Sequence, residues 1–75
     1  MSNVELDCKG LSCPMPIVKI SRAMKELHVG MTLTITASDP SFEADVEAWV
    51  RKMSQKLVAF STTAGIQTAI IEKVS

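Results

Sequence analysis

The stretch Gly10-Leu11-Ser12-Cys13-Pro14-Met15-Pro16 constrains the local geometry of this chain more tightly than any other. It stands where an extended segment gives way to an apolar-periodic helix. Proline is tolerated in a first helical turn, because the N–H groups there have no intrahelical partner. Pro14 therefore reads as N1 and Pro16 as N3, which puts Cys13 at or beside the N-cap. A thiol at that address lies near the positive end of the helix dipole, so the thiolate is expected to be favoured. The two prolines also delete donors that would otherwise reach the sulfur, and their fixed φ angles hold it in one place instead. Cys13 is thus the candidate nucleophile, positioned by Gly10, Pro14 and Pro16. The plainer reading makes Cys13 a small, buried residue at a helix start.

The periods on either side give the elements. Val4-Glu5-Leu6-Asp7-Cys8 alternates apolar and polar, as a half-buried strand does. Ile17, Ile20, Met24 and Leu27 recur at helical spacing and predict a helix over about residues 14–28. Gly30 would stop it and His28 would cap its carboxyl end. Met31–Ala37 alternates apolar residues with threonines and is the clearest strand. Asp39-Pro40 reads as N-cap and N1 of a second helix whose apolar face is Phe42, Val46, Trp49, Val50 and Met53. Leu57–Thr62, a turn at Thr63-Ala64-Gly65 and Ile66–Val74 make a hairpin. The order β-α-β-α-β-β implies one α/β (α+β) domain over residues 1–75: a two-layer sandwich with two helices on one face of a four-stranded mixed sheet. Right-handed crossovers would add successive strands in one direction, with only the last strand antiparallel. Cys13 would then lie at the carboxyl end of the first strand, where α/β folds place their chemistry.

Composition narrows the function. Eight basic residues balance eight acidic ones, so no excess charge draws the chain to nucleic acid. One Trp, two Phe and no Tyr supply no stacking platform for bases either. Direct nucleic-acid binding is not expected. No apolar run reaches membrane-spanning length, and Met1-Ser2-Asn3-Val4-Glu5 lacks the basic start of a signal peptide, so the expected compartment is the cytoplasm. In that reducing setting two cysteines read as reactive, redox-active or inert, not as a staple. Alternation turns Cys8 inward beside Val4 and Leu6, as a small core residue; the alternative is a resolving thiol that pairs with Cys13. Two Cys and one His at no familiar spacing give no metal site, and nothing calls for a cofactor. His28 lies toward the opposite end of the domain, so no Cys/His dyad is visible. Lys9 and Lys19 either add positive field at the sulfur or are solvated surface. Met15, between the prolines, is expected to be exposed and to suit partner docking.

Leu6-Asp7-x-x-Gly10-Leu11-x-Cys13-Pro14-x-Pro16, followed by Lys19, resembles the signature of the TusA/SirA-like small sulfur-carrier family. The resemblance continues through Gly30, Leu33-Thr34-Ile35, Asp39-Pro40, Asp45 and Trp49. It implies a sulfurtransferase-type carrier whose Cys13 holds sulfane sulfur as a persulfide. The implied donor is a cysteine desulfurase or a rhodanese-type enzyme. The implied acceptor is a DsrE-type relay protein, or an enzyme of tRNA thiolation or molybdenum-cofactor chemistry. The chain departs from the family where many members carry Gly-His after the second helix and this one has Ser54-Gln55. Cys8 is an addition relative to single-cysteine members. It keeps open a dithiol redox role, or a non-catalytic interaction module built on the proline-rimmed loop.

Overall fold

A computed structural model describes residues 3–75. In chain order the elements are β1 (Asn3–Cys8), α1 (Met15–Lys25), β2 (Thr32–Ala37), α2 (Phe42–Lys52), β3 (Lys56–Thr63) and β4 (Ile66–Glu72). All the expected elements form, in the expected order, as two helices on a four-stranded mixed sheet.

The strand order departs from the expectation of one-directional addition. It is β1-β2-β4-β3: β1 and β2 are parallel, and β4 inserts between β2 and β3, antiparallel to both. A short hairpin demands that β3 and β4 be neighbours but leaves open which of them meets β2. Burial decides it. β4 alternates buried Gln67, Ala69 and Ile71 with half-buried Ile66, Thr68 and Ile70, so it gains from a neighbour on each side. β3 exposes Lys56, Ser61, Thr62 and Thr63 and tolerates the edge, where charge and a bulge near Leu57 and Ala59 discourage further pairing. The hairpin turn is Ala64-Gly65, both at positive φ (51° and 79°), as a two-residue turn matched to strand twist requires.

The helix layer closes over Cys8, Leu33, Ile35, Ala37, Ala69 and Ile71 of the sheet, with Ile20 and Met24 from α1 and Phe42, Val46 and Val50 from α2. Phe42 also stacks on Phe60, ring centroids 6.2 Å apart. The threonines of β2 point to the open face, where the Thr32 and Thr34 hydroxyls donate to Asn3 Oδ1 at 2.8 and 3.0 Å.

The helix ends carry two corrections. α1 stops at Lys25, and His28 lies in the exposed loop beyond, not on the last turn. The cation at that carboxyl end is Lys73, whose Nζ donates to the carbonyls of Met24 and Leu27 at 2.9 Å each. Met53, expected on the apolar face of α2, is 46% exposed at the C-cap. There Gln55 N–H bonds the Val50 carbonyl (2.9 Å) and Ser54 N–H the Arg51 carbonyl (3.4 Å), a Schellman closure that puts Ser54 at φ 58°. A β-carbon in that left-handed conformation costs about 1 kcal/mol. Ser54→Gly is therefore expected to stabilise the fold by about 1 kcal/mol, read as a higher denaturant midpoint at unchanged slope.

Candidate functional site

Parallel pairing sets Cys8 opposite Ala37, so the loops after β1 and β2 leave the same end of the sheet side by side. The first loop is shaped by its own backbone. Asp7 Oδ1 accepts the Lys9 N–H at 2.9 Å, and a turn closes through Leu11 N–H to the Cys8 carbonyl at 3.2 Å. Gly10 holds the third position of that turn at φ 82°, a conformation that a β-carbon disfavours. The chain then reverses again, with Met15 N–H bonding the Ser12 carbonyl at 2.9 Å across a cis Cys13–Pro14 peptide. Val18 N–H to the Pro14 carbonyl, at 3.1 Å, is the first helical bond. Pro14 is thus the N-cap and Pro16 the buried second residue, one place earlier in the helix than expected. Cys13 stands just before the cap, with its side chain exposed.

The second loop clasps the first. Gly10 N–H donates to Ser38 Oγ at 2.9 Å, and Cys13 N–H donates to Asp39 Oδ2 at 2.6 Å. The other oxygen, Asp39 Oδ1, takes the Ser41 N–H at 3.2 Å, while the Asp39 carbonyl takes the Phe42 N–H at 3.0 Å. Asp39 was expected to cap α2. Ser41 occupies that place and Asp39 joins the two loops instead. Donation from the Ser41 and then the Cys13 amide holds the Asp39 carboxyl below the usual carboxylate range.

The charge around the sulfur reverses the expected preference for the thiolate. The Cys13 thiol is pushed up, first by the nearby Asp45 carboxylate. Lost hydration and the charges of Asp45 and Asp39 add to this, and only the Ser41 hydroxyl opposes it. The reason is local. Pro14 and Pro16 have no N–H and Met15 donates its own to Ser12, so the start of α1 has little left to offer an anion. Asp45, in the acidic first turn of α2 with Ser41 Oγ 3.4 Å from its Oδ2, acts on the sulfur instead. Lys9 and Lys19 do not balance these acids: both act on Asp7, and Lys19 also acts on Cys8. Cys8 is a free thiol with no exposed surface, and burial pushes it up, with Lys19 opposing and Asp7 adding.

Met15 is 45% exposed beside the cysteine. From Pro14 a shallow groove of about 360 Å³ runs between the helices, lined by Ile17, Val18, Arg22, Lys25 and Trp49 among others. Among the described residues no three His, Cys, Asp or Glu side chains gather as metal ligands would, and no helix is long and apolar enough to cross a membrane. Ser38, Ser41 and Asp45 were not singled out as site residues from the sequence. The spacing of Ser41 and Asp45 was the one available signal, since it puts both on the same side of a helix start.

Fold and site together define a small two-layer sandwich that presents an exposed thiol at the meeting of two loops. The chain belongs to the sulfurtransferase TusA family, whose model matches residues 4–73. Among similar proteins, YrkI of Bacillus subtilis, named as a sulfur carrier, is 38% identical over 72 residues, covering 96% of both chains. A protein of Aquifex aeolicus with a sulfur-carrier name is 35% identical over the whole of this chain, and YrkF of Bacillus subtilis is 38% identical over 96% of it. This chain spans only 40% and 39% of the length of those two relatives. A solved SirA-like protein of Desulfitobacterium hafniense shares the fold over both full chains, with a TM-score of 0.77 at 18% identity.

The acidic flank generates a test. Asp45→Asn removes the carboxylate that does most to hold the proton on Cys13, so the pH profile of iodoacetamide alkylation is expected to move to lower pH. The alkylation rate near neutrality is expected to rise. An unmoved profile would show that Asp45 does not govern the thiol.

Proposed function

We propose that this protein is a sulfur carrier that accepts sulfane sulfur on Cys13 and passes it to a partner protein. The observation that carries the reading is the placement of Cys13: an exposed thiol, held through its backbone amide by Asp39 where two loops meet. On loading, the Cys13 thiolate attacks the outer sulfur of a donor persulfide. A new S–S bond forms on Cys13, the donor's S–S bond breaks, and the donor cysteine leaves as thiolate. On delivery a cysteine thiolate of the acceptor protein attacks the outer sulfur, a new S–S bond forms on the acceptor, and the Cys13 thiolate leaves in turn. Each step exchanges one S–S bond for another, so neither an external oxidant nor a cofactor is needed.

The acidic flank suits such a carrier. A thiol kept protonated reacts slowly with adventitious electrophiles, because the thiolate is the nucleophile. A donor surface that brings positive charge to Asp39 and Asp45 would release it. The donor in this proposal is a cysteine desulfurase or a rhodanese-type enzyme. The acceptor is a DsrE-type relay protein or an enzyme of thiolation or molybdenum-cofactor assembly, and the exchange takes place in the cytoplasm. Met15 and Lys19 lie on α1, close enough along the chain to join the docking face. Complete burial of Cys8 among Ile20, Leu33 and Ile35 favours a packing role for it over a resolving one.

Intact-mass spectrometry after incubation with a rhodanese and thiosulfate, or a desulfurase and cysteine, tests the proposal. The wild type is expected to gain the mass of one sulfur atom and Cys13→Ser to gain none. Cys8→Ala is expected to load normally while losing about 1 kcal/mol of stability. Sulfur that tracks Cys8, or that is indifferent to both substitutions, would overturn the assignment.

A further inference from the structure

One buried polar side chain takes no part in the chemistry above. Gln67 points from β4 into the helix layer and is 7% exposed, at a position of the same parity as the buried Ala69 and Ile71. The β2–β4 register sets it opposite Ala37, two residues before Asp39. From there its Nε2 donates to the Asp39 carbonyl at 2.6 Å. A buried amide at an apolar parity is tolerated when it is hydrogen-bonded, and here the partner is the residue that holds the nucleophile loop.

The resulting chain is continuous. Gln67 fixes the Asp39 peptide through its carbonyl, and the two Asp39 carboxylate oxygens take one amide from each loop, Cys13 on one side and Ser41 on the other. The carbonyl and both carboxylate oxygens of Asp39 are therefore engaged. Its side chain cannot swing away from Cys13 without giving up the Ser41 bond, and its backbone cannot shift without breaking the bond to Gln67. We propose that Gln67 is a positioning residue for Cys13: it anchors Asp39 from the core, and Asp39 in turn sets where the thiol stands relative to Ser41 and Asp45. The inference rests on the sulfur-carrier reading for its kinetic consequence, but its structural consequence is separately measurable.

Gln67→Met in the full chain removes the donor while keeping an unbranched side chain of similar length. Two readouts decide. By proton NMR, the wild-type Cys13 amide is expected far downfield, as a short bond to a carboxylate makes it, and to move upfield as acid protonates Asp39. In Gln67→Met that amide is expected upfield already at neutral pH, while the core amides of Ile35 and Ile71 keep their shifts. The maximal rate of sulfur loading is expected to fall about tenfold, at an unchanged half-saturating donor concentration, as for a displaced reacting group. A folded Gln67→Met protein with an unmoved Cys13 amide would overturn the proposal, whether or not loading slowed. If the variant does not fold, exchange of the wild-type Gln67 side-chain amide protons decides. Slow exchange supports the anchor, and exchange as fast as in an unstructured peptide refutes it. Failure of the carrier reading looks different: wild-type Cys13 takes up no sulfur, whatever the amide spectra show.

Discussion

The hydrogen bond from the Cys13 amide to the Asp39 carboxylate, 2.6 Å long, joins two loops 26 residues apart in the chain. It depends on the parallel pairing of β1 and β2, which brings both loops to the same end of the sheet, and on the Cys8–Ala37 register, which sets them level. It is charge-assisted, and such bonds are shorter and stronger than neutral ones. Remove it and the segment before α1 keeps its internal turns and the Gly10–Ser38 bond, but Cys13 itself loses its tie to the start of α2. The groups that set the charge state of the thiol all lie at or near the start of α2: Asp39, Ser41 and Asp45.

That relation explains a site which at first runs against expectation. A cysteine at a helix start usually gains from the helix dipole. Here the prolines that rigidify the start of α1 also strip it of donors, and the neighbouring helix presents carboxylates. Rigidity and acidity are separate properties of the site: the prolines supply the first and α2 the second. The proposed carrier would have use for both: a thiol held in place, and one kept protonated until a partner alters the local charge.

Much of this was legible in the sequence because it is local. Alternation in Val4–Cys8 and Met31–Ala37, and the helical spacing of Ile17, Ile20 and Met24, rest on near-neighbour geometry, and they placed the elements to within a few residues. The double proline marked Cys13 for the same reason. What was not legible is non-local. Which of β3 and β4 meets β2 turns on how deeply each is buried, and that is fixed by the assembled sheet. The cation capping α1 is Lys73, 49 residues from Met24 in the chain, and not the adjacent His28. Asp39 and Gln67 are 28 residues apart and meet only because β4 is inserted beside β2. The raised Cys13 thiol follows from the same kind of contact, since Asp45 belongs to the other helix.

The claim that sulfur rides on Cys13 at the seam of these loops is tested most directly by amide NMR spectra recorded before and after exposure to a persulfide donor. Loading is predicted to shift the amides of Cys13, Ser41 and their immediate neighbours in the two loops, and to leave those of Leu33, Ile35 and Ile71 around Cys8 unchanged. Shifts centred on the Cys8 neighbours, with Cys13 and Ser41 unmoved, would contradict it.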